Sequence, residues 1–527
     1  MCGILVAVNL QEKEVQTFHK ALNEQTHRGP DMCRTEIVDN ILLGFNRLSI
    51  LDLSELSMQP VKYLELTLVM NGEIYNYKEL RSNLSALGHT FKSNGDAEVL
   101  AAAIDQWGFE QALKKVAGMF AVVAYNHNTS QLFIARDRLG IKPLYYLLNP
   151  GHQLILGSEV PSLVPFIQSH HKYDIQSIVH FILNGTMQLN CHTFYSDIKR
   201  VPPGTFAIIS PGSFEQISFS SYWQLPNIVN TRKSFPCYKS VKRTFDDLMQ
   251  QHLCCDVKTG LALSGGLDST IQAVYMADKA KSTYYSLDHR VAELESQFID
   301  QTVSEYKLQH RYVQASDYNN IQSIKRIISR AGQPFRASQT LYQYAIRSEA
   351  AKDGVKVMLT GDGADEVFAG YSYTVPHLLA SYINQQNHEL ALEVALDMEA
   401  FCNQSASEML EKANKILKSS SNTVCQDINV EHSYSGFLNI KPIIETSHLN
   451  HSTNGLVGVN EFLTHRLTID PIPYWLSMED IISMTNSIET RVPYLDHRLI
   501  ESVFEYPETH FIAGGFTKSI MRKALAE

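Results

Sequence analysis

The segment 261–270, LALSGGLDST, constrains this chain more than any other stretch of its sequence. An apolar run ends in Ser264-Gly265-Gly266, and a helical pattern, DSTIQAVYMADKA, follows at once. Two adjacent glycines let the backbone turn sharply and aim successive N–H groups at one point. The positive end of the following helix adds to the potential there. A strand–loop–helix unit of this kind calls for a parallel sheet with crossover helices. The same alternation returns where VKVMLT runs into ADEVFAGYSY, so the second half of the chain is expected to be α/β. Ser264 and Ser269 can offer hydroxyls to phosphate oxygens, and Asp268 suits a Mg2+ ion that bridges phosphates. The loop lacks the GxxxxGK[ST] pattern, which disfavours a Walker-type γ-phosphate transfer. A second acidic cluster, Asp362, Asp365 and Glu366 in GDGADE, falls at the carboxyl end of the next apolar strand. Open α/β sheets bind ligands at that edge. Alone the cluster reads equally as a calcium loop or a solvated turn; beside the first loop it reads as a second Mg2+ ligand and an acid or base.

Residues 1 to about 210 have a different texture. CGILVAVNL, LLGFNRLSILD, LELTLVMNGEIYNY, MFAVVAYNHNTSQLFIARD and HQLILGSE are short runs rich in Val, Ile, Phe and Tyr, punctuated by Asn and Gly. They predict stacked sheets, with at least two helices among them, including DAEVLAAAIDQWG. The Pro/Gly/Ser-rich stretch RVPPGTFAIISPGSFEQISFSSYW marks the boundary between the halves, and VKRTFDDLMQQHLCCDV opens the second half as a helix. KSSSNTV is the one candidate for a flexible loop in that half.

With 527 residues the chain is too long for one ordinary core, so two or more domains are expected. A balance of 45 basic against 55 acidic residues, net −10, argues against an electrostatic nucleic-acid binder. No apolar run approaches a membrane span, and the apolar start lacks the basic n-region of a secretion signal. The eight cysteines are scattered without a CxxC pair, so neither zinc spacing nor a disulfide framework is expected and a cytoplasmic location is the default.

Cys2 poses its own question. Taken alone it is a small hydrophobe near the start. If Met1 is removed, Cys2 carries both a thiol and a free α-amine that titrates near roughly 7.7–8.0. That amine can take the thiol proton and act as the built-in base of an N-terminal nucleophile.

The chain's motifs, in order, resemble a known family. CGI at the start, HRGPD (27–31), RLSILD (47–52), NGEIYNY (71–77), GDAEVL (95–100) and ARDRLGIKPLYY (135–146) resemble class II glutamine amidotransferase domains. SGGLDST, GDGADEVFAGY and SIETRVPYLDHRLIE (487–501) extend the resemblance to glutamine-hydrolysing asparagine synthetases over nearly the whole chain. The resemblance implies an α+β N-terminal-nucleophile αββα sandwich (1–212), a linker (213–235) and an α/β parallel-sheet ATP-pyrophosphatase domain (236–527). In the first domain it implies Cys2 as nucleophile, Asn71 and Gly72 as the oxyanion hole, Arg47 on the glutamine α-carboxylate, and Glu73 and Asp96 on its α-ammonium, with Asn71 also lining that subsite. In the second it implies Leu263, Ser264, Gly265, Gly266, Asp268, Ser269, Leu287 and Gly361 around ATP, Asp268 and Asp365 on Mg2+, and Asp362 as the group that deprotonates the attacking amine. Ammonia released from glutamine would pass through an internal tunnel to attack an aspartyl adenylate, giving asparagine, glutamate, AMP and pyrophosphate. The partners implied are small molecules, with no nucleic acid and no membrane, and a homodimer is left open.

Three departures shape the expectations. Relatives carry two arginines where this chain has Ser477 and Ile481 in SMEDIISM. If these face the acceptor, a different carboxylate could be amidated by the same mechanism. Arg336-Ala337-Ser338 in QPFRASQTLY replaces the acidic version seen in many relatives. After TKSIMRKALAE the family has a lysine that neutralises departing pyrophosphate. The synthetase domain is therefore expected to lack its C-terminal end and to synthesise poorly, which would suit a regulatory homologue, with Lys518, Arg522 and Lys523 as the remaining cations.

Overall fold

The structure is a computed structural model and describes residues 2–169, 172–184, 191–210, 216–226, 237–277, 282–288, 293–336, 338–421 and 455–525. The amino-terminal part is built on two six-stranded antiparallel sheets. One runs, in spatial order, Ile198–Arg200, Tyr145–Asn149, Gln153–Gly157, Gly3–Val8, Ile41–Arg47, Met32–Val38. The other runs Ser220–Ser221, Thr205–Ile209, Gln131–Arg136, Gly118–Asn126, Leu66–Ile74, Val61–Tyr63.

The reason the strands read as continuous apolar runs is that both faces are covered. In Gly3–Val8 every residue is buried. Ile4, Val6 and Val8 enter the core between the sheets with Phe45, Val69, Val123 and Ile134. Leu5 and Ala7 face outward onto Phe18 and Leu22 of the helix Val15–Glu24. The second sheet repeats the pattern: Leu68, Met70, Phe120 and Val122 pack outward on the helix Asp96–Trp107. The layering is therefore helix, sheet, sheet, helix, as expected.

The carboxyl-terminal part holds a five-stranded parallel sheet ordered His310–Val313, Ser282–Leu287, Thr259–Ala262, Val357–Leu359, Glu489–Arg491. Strand Thr259–Ala262 lies at its centre and delivers the SGGLDS loop into the helix Leu267–Met276. Further helices, among them Val375–Asn384, Ile472–Met484, His497–Phe504 and Ser519–Leu525, close the core around it.

Two local expectations differ from the structure. The helix expected over ADEVFAGYSY stops at Phe368, and Ala369 is left-handed (φ +56°). A Cβ on Gly370 would lie 1.7 Å from Asp365 Oδ1, so the chain must leave the helix to pass that close. The expected loop KSSSNTV begins inside a helix, Ala406–Ser421, which carries Lys418–Ser421; the remainder lies outside the described residues. Within 213–235, Ser220–Ser221 pairs with Thr205–Phe206 and Tyr222 is buried, so the antiparallel part continues at least that far; 227–235 lie outside the described residues.

Candidate active sites

The first site forms where strand Gly3–Val8 meets Leu66–Ile74 and the helix Asp96–Trp107. A small cavity of about 40 Å³ is lined by Cys2, Arg47, Gly72, Glu73, Asp96 and Glu98, among others. Cys2 is buried, and burial pushes its thiol pKa up. A buried thiol of this kind needs a base close by to become a nucleophile. The backbone nitrogen of Cys2 donates to Asn71 Oδ1 at 3.0 Å. With its oxygen pinned there, the Asn71 amide turns its Nδ2 donor the other way, where it is buried and has no partner. Gly72 has φ +150°, and a Cβ would lie 2.0 Å from Met119 O, so no other residue fits that rung of the ladder.

Glu73 is buried and its carboxyl is raised well above the usual range by burial, by Asp96 and by Glu489. Asp96 opens its helix and accepts from Ile74 N–H at 2.8 Å; burial still pushes it up to about 6. Arg47 lines the cavity while its guanidinium holds the loop carbonyls of Leu51, Asp52 and Ser54.

The second site lies at the carboxyl edge of the parallel sheet. A cavity of about 250 Å³ is lined by Leu263, Ser264, Asp268, Ser269, Leu287, Gly361 and Asp362. The loop braces itself: Ser264 N–H donates to Ser269 Oγ at 3.1 Å and Ser269 Oγ donates to Gly266 O at 3.2 Å. Gly265 is left-handed (φ +78°), and a Cβ there would meet Glu295 O at 2.8 Å. Gly265 and Gly266 shape the turn without lining the cavity wall.

A second cavity of about 330 Å³ shares Gln343, Gly361 and Asp362 with the first and is walled by Glu366, Tyr371, Trp475, Met478, Glu479 and Ile482. Asp362 thus faces both, with Thr360 Oγ1 donating to it at 2.7 Å. Glu366 is buried, which together with Asp365 raises it to about 7, and Tyr371 OH donates to it at 3.1 Å. Asp268 and Asp365 converge on one cation: Lys518 Nζ sits 2.6 Å from Asp268 Oδ2 and 2.7 Å from Asp365 Oδ1.

The departures in the acceptor region resolve spatially. Neither Ser477 nor Ile481 lines the 330 Å³ cavity, although Trp475, Met478, Glu479 and Ile482 of the same helix do. Ile481 packs with Ile327, Leu341 and Tyr474. Arg336 stacks on Tyr474, its Cζ 4.5 Å from the ring, and reaches Asp470 at 3.5 Å; Ala337 lies outside the described residues.

Arg28 carries more of the architecture than its sequence context suggests. Fully buried, it donates to Cys2 O at 3.1 Å, to Glu159 at 3.0 Å and to Asp480 at 2.8 Å. Asp480 belongs to the helix Ile472–Met484 that walls the 330 Å³ cavity, so one guanidinium ties the two sites. Arg491 makes a second tie, pairing with Glu489 at 2.7 Å and reaching Glu73 at 3.4 Å. Both arginines sit in motifs visible in the sequence, HRGPD and SIETRVP, yet the partners that join the two halves, Asp480 for Arg28 and Glu73 for Arg491, lie hundreds of residues away.

Comparison with known proteins agrees with this division. The family model for a glutamine amidotransferase domain matches residues 1–223, and that for asparagine synthase matches 240–527. Asparagine synthetase [glutamine-hydrolyzing] 1 of Bacillus subtilis is 28% identical, over 99% of this chain and 84% of its own length. Asparagine synthetase [glutamine-hydrolyzing] 2 of the same organism is also 28% identical, over 100% of this chain and 69% of its own. Asparagine synthetase B of Escherichia coli is 26% identical over 71% of this chain and 65% of its own.

Proposed function

This chain belongs to the asparagine synthase family, with a glutamine amidotransferase domain ahead of the synthetase, and from that premise we propose how its residues divide the work. The protein is an ATP-dependent ligase that makes asparagine with glutamine as nitrogen donor. In the first site, with Met1 removed, the α-amine of Cys2 takes the thiol proton and the thiolate attacks the glutamine side-chain amide. Asn71 Nδ2 and the Gly72 N–H stabilise the oxyanion. Arg47 meets the glutamine α-carboxylate, and Glu73 and Asp96 meet its α-ammonium. Ammonia leaves, and water hydrolyses the thioester to glutamate.

In the second site the SGGLDS loop, with Leu263, Leu287 and Gly361, cradles ATP while the 330 Å³ cavity takes aspartate. The β-carboxylate attacks the α-phosphorus, pyrophosphate departs, and ammonia attacks the resulting adenylate to release AMP. Asp362, which faces both cavities, is placed to take the proton from the amine. Asp268 and Asp365 are the residues that would hold Mg2+: their oxygens converge on one cation position, and a pair of carboxylates completed by substrate phosphates suits that ion. When bound, Mg2+ offsets the charge of the phosphates. Lys518, poised between Asp268 and Asp365, supplies further positive charge to the departing pyrophosphate. Ammonia stays neutral and local only if it crosses between the sites without meeting bulk water.

Seven described cysteines are unpaired, and no described helix is long and apolar enough to cross a membrane. Both suit action in the cytoplasm. The observation that carries the reading is the coexistence of Cys2 beside the unpartnered Asn71 Nδ2 with an SGGLDS loop lining a cavity that adjoins a second one at Gly361 and Asp362. The test is incubation with glutamine, aspartate, ATP and Mg2+. Asparagine, AMP and pyrophosphate are the expected products; ADP and orthophosphate would overturn it.

A further inference from the structure

A cavity of about 280 Å³ lies away from both active sites, between the antiparallel domain and the helical part of the synthetase domain. Arg136, Cys191, Arg200 and Val201 line one side, and Ile469 and Pro473 line the other.

Its two arginines are unlike each other. Arg136 is spent on structure: Nε donates to Lys142 O at 2.7 Å, Nη1 to Val201 O at 2.9 Å and Nη2 to Gly140 O at 2.6 Å. Arg200 is only 5% exposed, and its Nε and Nη1 have no hydrogen-bond partner; its guanidinium stacks over Tyr145, Cζ 5.7 Å from the ring. Among the described residues no aspartate or glutamate lines the cavity. Of the two acids adjacent in sequence to its lining, Asp137 spends its carboxylate on the N–H groups of Phe120, Leu139, Ile141 and Lys142, and Asp470 pairs with Arg336 at 3.5 Å. Cys191 does not supply an anion either, because burial raises its thiol.

Two guanidinium charges therefore face one space without a counter-charge. A buried charge left unpaired is expensive, and an anion entering from solvent relieves it. The remaining walls are mostly apolar, Leu139, Val201, Pro202, Pro203, Ile469 and Pro473, with Gly140 and Thr468, whose hydroxyl donates to Thr464 O at 2.7 Å. An α-amino acid is disfavoured, since its ammonium would sit beside two cations with no carboxylate to meet it. We propose that this cavity binds a small monocarboxylate with an apolar body and no ammonium group, its carboxylate on Arg200. Pro473 lies in the first turn of the helix Ile472–Met484, which walls the 330 Å³ cavity, so the ligand touches residues of both domains.

The test uses acetate, butyrate and hexanoate as probes, with inorganic phosphate as the contrasting anion. Binding to the full chain is followed by calorimetry and by the rise in Tm, with glutamate and aspartate in excess to fill the substrate pockets. Affinity should rise about fourfold per methylene from acetate to butyrate. Arg200→Leu should abolish binding. Ile469 is 41% exposed at the mouth, so Ile469→Glu should weaken binding without disturbing the fold. Phosphate binding that is as tight as butyrate's and is lost in Arg200→Leu would overturn the apolar-body assignment. Absence of saturable binding, or binding unchanged in both variants, would overturn the site.

Discussion

Lys518 Nζ lies 2.7 and 2.6 Å from the two carboxylate oxygens of Asp268, a residue 250 positions earlier in the chain. Lys518 is 8% exposed and left-handed at φ +53°, and Gly370 leaves room for it: a Cβ there would come within 2.1 Å of Lys518 Cε. A lysine aimed at departing pyrophosphate acts like a donor in an oxyanion hole, worth roughly 2.7–4 kcal/mol. Lys518→Met should therefore slow pyrophosphate release on the order of a hundred- to a thousandfold and leave glutamine hydrolysis unchanged. The variant should also gain a Tm response to Mg2+ without nucleotide, because the two aspartates lose their resident cation. A variant that releases pyrophosphate at the parent rate refutes the role.

Asp268→Asn keeps the shape of the loop but weakens a hard oxygen ligand. ATP-dependent chemistry should disappear while glutaminase activity persists. Parallel glutamate and pyrophosphate assays separate the two.

Cys2→Ala should abolish glutamine hydrolysis and leave synthesis from added ammonia intact. Intact mass of active protein should show Cys2 as the first residue. If ammonia-driven synthesis is lost too, the two sites are not separable.

Asp96 predicts a pH dependence. Burial raises its folded pKa to about 6, above the ordinary aspartate value of about 3.9. Below about 6 it is protonated and offers no charge to the glutamine ammonium, so kcat/KM for glutamine should fall as pH drops through 6, with KM carrying the change. The linkage runs the other way from a salt-bridged acid. The native state holds this proton more tightly than the unfolded chain, so stability falls as pH rises from about 4 to 6 and is flat above. The ionised group thus costs on the order of 3 kcal/mol at neutral pH. Asp96→Asn should raise Tm at pH 7 while raising KM; a Tm that falls there would count against the assignment.

Arg28→Met would leave Asp480 buried without its cation and Glu159 with His27 alone, a loss of about 3–5 kcal/mol for a broken buried network. Thermal melting should show a large drop. Because Arg28 also holds Cys2 O, the variant should uncouple ammonia production from synthesis, read as more glutamate formed per asparagine than in the parent.

The short-range structure was legible in the sequence. Continuous apolar runs announced strands covered on both faces, as Ile4 and Leu5 show by pointing into opposite cores. SGGLDST specified its own turn, because only glycine tolerates the left-handed backbone at Gly265. The order of the motifs placed Cys2, Asn71, Glu73 and Asp96 in one domain and the phosphate loop in the other. These readings rest on periodicity and on backbone conformation, which neighbouring residues determine. What the tertiary structure alone decided is which charges meet. Asp480, Arg491 and Lys518 find Arg28, Glu73 and Asp268 across hundreds of residues. The turn of one helix put Ser477 and Ile481 off the acceptor wall and Glu479 on it. A buried charge takes whatever partner packing brings within about 3 Å, and no local pattern encodes that distance.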